Sequence, residues 1–138
     1  MKKKLNCILL VDDNAADNYF HKIIIKEMNF TENIEVALDG EEALTFVKKE
    51  NQIQPELIFL DINMPRMDGW DFLEAYRELS EEQKSDTIVI MLTTSLNPED
   101  EKKAEQFAEV VGFKIKPLTV EMLTEILEQY FPYVQENN

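Results

Sequence analysis

Cysteine and histidine are almost absent from this 138-residue chain, which carries one of each. A lone cysteine closes no internal disulfide, so no covalent framework holds the fold, and Cys7, set in an apolar run, reads as a small buried hydrophobe. His21 falls in a helical stretch and reads as a surface or groove residue rather than a phosphoryl carrier. Long apolar runs are missing too: none reaches the roughly 18 residues a membrane span requires. The basic start Met1-Lys2-Lys3-Lys4 leads into an apolar run that stops at Val11, before Asp12-Asp13, which is too short for a secretory signal. These absences point to a cytoplasmic protein without membrane insertion. Basic residues are scarce, 14 against 28 acidic, and the formal charge is -14. Such a surface repels phosphate backbones and anionic lipid, which argues against nucleic acid and leaves proteins as partners.

What is present is one domain's worth of chain, able to bury about 68 to 70% of its unfolded surface. No repeat or low-complexity run divides it, so a single domain is expected over 1–138, with a core of about 6–131 and a frayed tail at 132–138. Strands are predicted at 6–11, 33–37, 57–60, 87–92 and 112–115, the second at a sheet edge. Between and after them fall five helices. The first is capped at Asn14, ends near Asn29 and carries Ala16, Phe20, Ile23, Ile24 and Met28 at helical spacing. The second starts at Asp39, turns Ala43, Leu44 and Val47 inward and runs to about Glu50; Asn51 to Glu56 is a polar loop. The third runs from about Trp70 to Leu79 with Leu73, Tyr76 and Leu79 inward, and Ser80-Glu81-Glu82-Gln83 has the spacing of one extra helical turn. The fourth opens at Asn97-Pro98 and carries Ala104, Phe107 and Ala108 inward to about Val111. The last is capped by Thr119, with Leu123, Ile126, Leu127 and Tyr130 on one face.

Strict alternation of strand and helix implies an α/β fold, a doubly wound parallel sheet with helices on both faces. In that class ligands bind beyond the carboxyl ends of the strands. The residues directly following or ending the apolar runs are Asp12, Asp13, Asp61, Thr93 and Lys116, all polar. Three carboxylates in one crevice repel one another, by roughly 4 kcal/mol for a pair about 4 Å apart at an effective dielectric of about 20. They must hold protons or a cation. Mg²⁺ suits them, since it takes oxygen ligands, commonly one or two carboxylates together with phosphoryl oxygens.

The set of motifs resembles the receiver domain of two-component response regulators, over essentially the whole chain. The acid pair Asp12-Asp13, Asp61 within Asp-Ile-Asn-Met-Pro-Arg-Met-Asp-Gly, Thr93 at the end of the fourth strand and Lys116-Pro117 after the fifth occur in order, each at a strand end. The resemblance implies the flavodoxin-like five-stranded sheet of order 2-1-3-4-5 with five helices. It implies that Asp61 accepts a phosphoryl group from a histidine kinase or a histidine phosphotransfer protein. Asp12, Asp13, Asp61 and the backbone carbonyl of Asn63 would hold Mg²⁺, Lys116 would pair with Asp61 and then with the phosphoryl group, and Thr93 would donate its hydroxyl to that group. The chain would then be no enzyme in the ordinary sense, promoting only its own phosphorylation and dephosphorylation. As a stand-alone receiver it would act on a downstream protein target.

The resemblance also implies a switch in which Thr93 moves and the aromatic three residues before the lysine, Phe113, changes rotamer. Tyr is frequent there in the family, and Phe offers no hydroxyl to a partner. Thr94 stands where the family often has Ala or Gly, and its bulk is expected to slow phosphoryl turnover. Met67 and Trp70, beside the active loop, read as packing or partner-facing residues. Two rival enzyme classes fit less well. A dehalogenase-like phosphatase requires a second Asp two residues after its nucleophile, where Asn63 stands, and a flavodoxin requires a hydroxyl-rich phosphate loop in place of Asp-Asp-Asn-Ala.

Overall fold

The computed structural model describes residues 4–49, 53–84 and 86–134. Five strands form one parallel sheet in the order β2-β1-β3-β4-β5: β1 (Leu5–Val11), β2 (Thr31–Ala37), β3 (Leu57–Asp61), β4 (Ile88–Thr93) and β5 (Val110–Ile115). Among the described residues six helices connect and flank them: α1 (Ala15–Met28), α2 (Gly40–Lys48), α3 (Gly69–Arg77), α4 (Glu81–Lys84), α5 (Pro98–Ala104) and α6 (Val120–Tyr130).

The three central strands, β1 from Cys7 onward, β3 and β4, are apolar up to their carboxyl ends because both of their faces are covered. Leu9, Val11, Ile58, Leu60, Val89 and Met91 point to one side, where Ala43 and Val47 of α2, Phe72, Leu73 and Tyr76 of α3, and Ala104 of α5 pack on them. Leu5, Ile8, Leu10, Leu57, Phe59, Ile90 and Leu92 point to the other side, against Ile25 of α1 and Leu123, Ile126 and Leu127 of α6. Two cores on one sheet make the doubly wound arrangement, and β2, exposed along much of its length, forms an edge as its alternation predicts.

Several local expectations are corrected. Among the described residues there are six helices, not five: Ser80 Oγ accepts from Gln83 N at 3.1 Å and Gln83 Oε1 accepts from Ser80 N at 3.3 Å, a reciprocal box that closes the short α4. The fourth predicted helix stops at Ala104 as α5. Phe107 N bonds Ala104 O and Val110 N bonds Phe107 O, which turns the chain into β5 two residues earlier than expected; Phe107 is buried but Ala108 is exposed.

The buried face of α1 also differs. Ala16, Phe20 and Ile23 are exposed, Ile24 and Met28 half-buried, and the buried positions are Asn18, His21 and Ile25. The run Ile23-Ile24-Ile25 leaves the helical phase open, and the two polar residues go inside because each finds a partner. Asn18 Nδ2 donates to Asp12 O at 2.8 Å, and His21 Nε2 accepts from Leu118 N at 3.2 Å. His21 is therefore neither a surface nor a groove residue. Asn29 ends α1 in the left-handed region at φ 55°, where the sequence places that end. The second helix stops at Lys48; Glu50, to which it was expected to run, Asn51 and Gln52 of the following loop and 135–138 of the expected tail lie outside the described residues.

Candidate functional site

Register brings the polar strand ends together. Because β1, β3, β4 and β5 are parallel neighbours, pairing of Val11 with Leu60, Asp61 with Leu92 and Thr93 with Ile115 aligns their carboxyl ends on one edge. Asp12, Asp61, Thr93 and Lys116 follow from that alignment. Two glycines and an arginine fix the loop after Asp61. Gly69 N donates to Ile62 O at 2.8 Å, and a Cβ at Gly69 would stand 2.6 Å from Asp61 O, so the chain folds back too tightly for any side chain there. Gly40 N donates to Met67 O at 2.9 Å, and Arg66, at φ 65°, pairs with the buried carboxylate of Asp39 at the start of α2. The Asp39 carboxyl lies below the usual range because it accepts from Glu42 N, with the Arg66 guanidinium adding to the effect and burial opposing it.

Lys116 is the centre of charge in the crevice. Its Nζ lies 2.7 Å from Asp12 Oδ2, 3.0 Å from Asp17 Oδ2 and 3.5 Å from Asp61 Oδ1, and its side chain is 10% exposed. Burial alone would depress its pKa, but the hydrogen bonds to Asp12 and Asp17 outweigh burial and raise it. The Asp61 carboxyl is pushed up to about 6, first by burial and then by the charge of Asp12, while Lys116 pulls the other way. The ammonium alone does not neutralise this group of acids.

Asp12, Asp13 and Asp61 each offer a carboxylate oxygen, all within 4.8 Å of one another. An all-oxygen, all-anionic donor set of this size fits a hard divalent cation such as Mg²⁺. Asp13 is exposed, so solvent can complete the coordination, whereas Asp12 is buried, its Oδ1 accepting from Asn14 N at 2.9 Å and its Oδ2 from Lys116 Nζ at 2.7 Å. Asn63 lies exposed two residues beyond Asp61. The Thr93 hydroxyl is engaged by its own loop, donating to Ser95 O at 2.9 Å and accepting from Ser95 N at 3.3 Å. Phe113 pairs in register with Met91 and rests half-buried against the α5 side of the core.

Residues 8–128 match the family described as the response regulator receiver domain. The chain belongs to that family. The chemotaxis protein CheY of Pseudomonas aeruginosa is 33% identical to this receiver over 92% of its chain and 97% of CheY. A crystal structure of a two-component response regulator from Cytophaga hutchinsonii superposes with a TM-score of 0.81 at 30% identity, covering 92% of this chain and 97% of that one. The probable C4-dicarboxylate response regulator DctR of Halalkalibacterium halodurans is 29% identical over 94% of this chain, which spans 53% of that longer protein. The flavodoxin-like order 2-1-3-4-5 implied by the motifs is the order observed in this receiver. Among the described residues no helix is long and apolar enough to cross a membrane.

Two residues of the receiver's crevice escape sequence reasoning. Asp17 reads as the partner of Asn14 in a variant capping box, and its backbone does bond the Asn14 side chain at 3.0 Å, but its own side chain reaches Lys116. His21 supports the segment just after Lys116 from beneath. The available signal is their position on the helix that follows Asp12-Asp13. Trp70 proves to be a packing residue, stacked on Phe107 at 6.2 Å with Lys103 Nζ 4.8 Å above its ring.

Proposed function

We propose that this receiver takes a phosphoryl group on Asp61 from the phosphohistidine of a histidine kinase or phosphotransfer protein, with Mg²⁺ held by Asp12, Asp13, Asp61 and the Asn63 carbonyl. The observation that carries this reading is the Asp61 carboxylate itself, set at a strand end beside two further acids and 3.5 Å from a buried ammonium. An Asp61 oxygen attacks phosphorus, the P–N bond breaks, and its electron pair leaves with the imidazole. Bound Mg²⁺ would supply charge neutralisation for the phosphoryl oxygens. Lys116 neutralises a further oxygen, and Thr93 turns its hydroxyl from Ser95 to the new group. Turnover is confined to this one acceptor, so the domain is a signalling switch and not an enzyme acting on other substrates.

The donor has an apolar surface to dock on, since α1 begins beside the crevice and exposes Tyr19, Phe20 and Ile23. Output would run through α5, β5 and α6. Phe113 lies on a groove of about 180 Å³ together with Ala104, Val110 and Glu105, so a rotamer change at Phe113 reshapes what a downstream protein meets. A cytoplasmic setting goes with this reading. The test is incubation with acetyl phosphate and Mg²⁺ followed by intact mass spectrometry. A single phosphoryl adduct in the wild type and none in Asp61→Asn is expected; no adduct, or the same adduct in both, refutes it.

A further inference from the structure

Lys116 is bound more closely by Asp17 than by the residue it is expected to serve. The ammonium has three protons to donate and three carboxylates to receive them, and the two short contacts, 2.7 Å to Asp12 and 3.0 Å to Asp17, are ordinary hydrogen bonds. The contact to Asp61, at 3.5 Å, is beyond that range. Asp12 belongs to the acidic trio that fits a cation, so its hold on Lys116 weakens when a cation takes its charge. Asp17 does not belong to that trio. It projects from the first turn of α1, its side chain is 38% exposed, and it keeps its own charge whatever the trio binds.

We propose that Asp17 is a positioning residue that holds Lys116 off Asp61 and thereby limits how fully the ammonium neutralises an incoming phosphoryl group. The inference rests on the phosphoacceptor reading of Asp61. Its physical basis is competition: one ammonium divided among several anions interacts less strongly with each, and the division is set by distance. With Asp17 neutral, Lys116 loses its pull toward α1 and settles toward Asp61. There it lies nearer the oxygens on which charge develops, where a fixed cation contributes most.

The test has a structural arm and a kinetic arm. In a crystal structure of Asp17→Asn, the Lys116 Nζ to Asp61 Oδ1 distance is expected to fall into the hydrogen-bond range of about 2.7 to 3.2 Å; an unchanged distance overturns the proposal. Phosphorylation by acetyl phosphate with saturating Mg²⁺ is expected to run about threefold faster or more in Asp17→Asn and at the wild-type rate in Asp17→Glu, which keeps the charge. In a Lys116→Gln background the same Asp17→Asn change should alter the residual rate by less than about twofold. Equal rates in wild type and Asp17→Asn, or an equal acceleration without Lys116, overturns the proposal, because the second result is that of a loose negative charge repelling an anion. A residue that merely begins a helix would change the melting temperature and leave the distance and the coupling untouched. If the wild type takes no phosphoryl group, the functional reading fails, and the crystallographic distance alone decides the role of Asp17.

Discussion

Replacing Asp61 by Asn should make the protein more stable, and the gain should depend on pH. The Asp61 carboxyl moves from 3.8 to about 6 on folding, net of the attraction of Lys116. A proton held more tightly in the native state than in the unfolded chain means that stability is highest with the proton on. It falls as pH rises from about 4 through 6, and is level above that. At about 1.4 kcal/mol per pKa unit the ionised carboxylate costs about 3 kcal/mol at pH 7.5. Water reaching its 12% exposed side chain reduces that to about 2 kcal/mol. Asn keeps the shape and never ionises. Guanidinium denaturation in EDTA should therefore find Asp61→Asn more stable by about 2 kcal/mol at pH 7.5, or about 5 to 10 °C in melting temperature, and equal to the wild type near pH 4. Mg²⁺ should then stabilise the wild type more than the variant, because part of the cation's partner set has gone. A variant less stable than wild type at pH 7.5, or a difference that does not change between pH 4 and 7.5, would refute the account of Asp61 as a carboxylate strained by burial and by Asp12.

Gly69→Ala should cost about 2 kcal/mol or more in denaturant titrations and slow phosphoryl uptake, since its Cβ would meet Asp61 O at 2.6 Å and push the acceptor loop outward; wild-type stability would show that the loop yields freely. His21→Leu should cost about 1 to 3 kcal/mol at pH 8, because Leu118 N loses its acceptor. Burial first, with Lys116 adding to it and Asp17 and Asp12 opposing, lowers the pKa of His21, so the imidazole supports the fold above about 6.5 and that support fades as pH falls. The gap between His21→Leu and wild type should thus narrow by pH 5, and a gap that widens there would contradict the neutral, accepting imidazole. Thr94→Ala, at an exposed position beside the crevice, should speed loss of the phosphoryl group a few-fold by opening the approach of water; an equal or slower decay of the labelled protein counts against the steric role of Thr94.

The legible part of this chain is its punctuation. Uninterrupted apolar runs ending in Asp12, Asp61 and Thr93, and a shorter one broken by Lys114 before Lys116, locate the strand ends, and parallel alternation then has few ways to arrange them. What stays illegible depends on contacts between distant segments. The phase of α1 is one case, because Phe20 and Ile23 are as apolar as Ile25 and only the partners Asp12 O and Leu118 N draw Asn18 and His21 inward. The early end of α5 is another: helical spacing runs on through Ala108, but pairing of Val110 with Val89 captures the chain first. Asp17 has a sufficient local explanation as a helix-start acid, which hides its bond to a lysine from the far end of the chain. The tie between Arg66 and Asp39 has no local signature, since nothing near either residue announces the other.

Asp12 and Lys116 touch across 104 intervening steps of chain. Strand β1 is made first and β5 last, with β3 and β4 between them in the sheet. The charged crevice therefore comes into existence only when the final strand has docked. A copy in which β5 has not docked has the Asp61 carboxylate but not the ammonium that faces it, so on the proposed reading phosphoryl uptake is tied to finished folding.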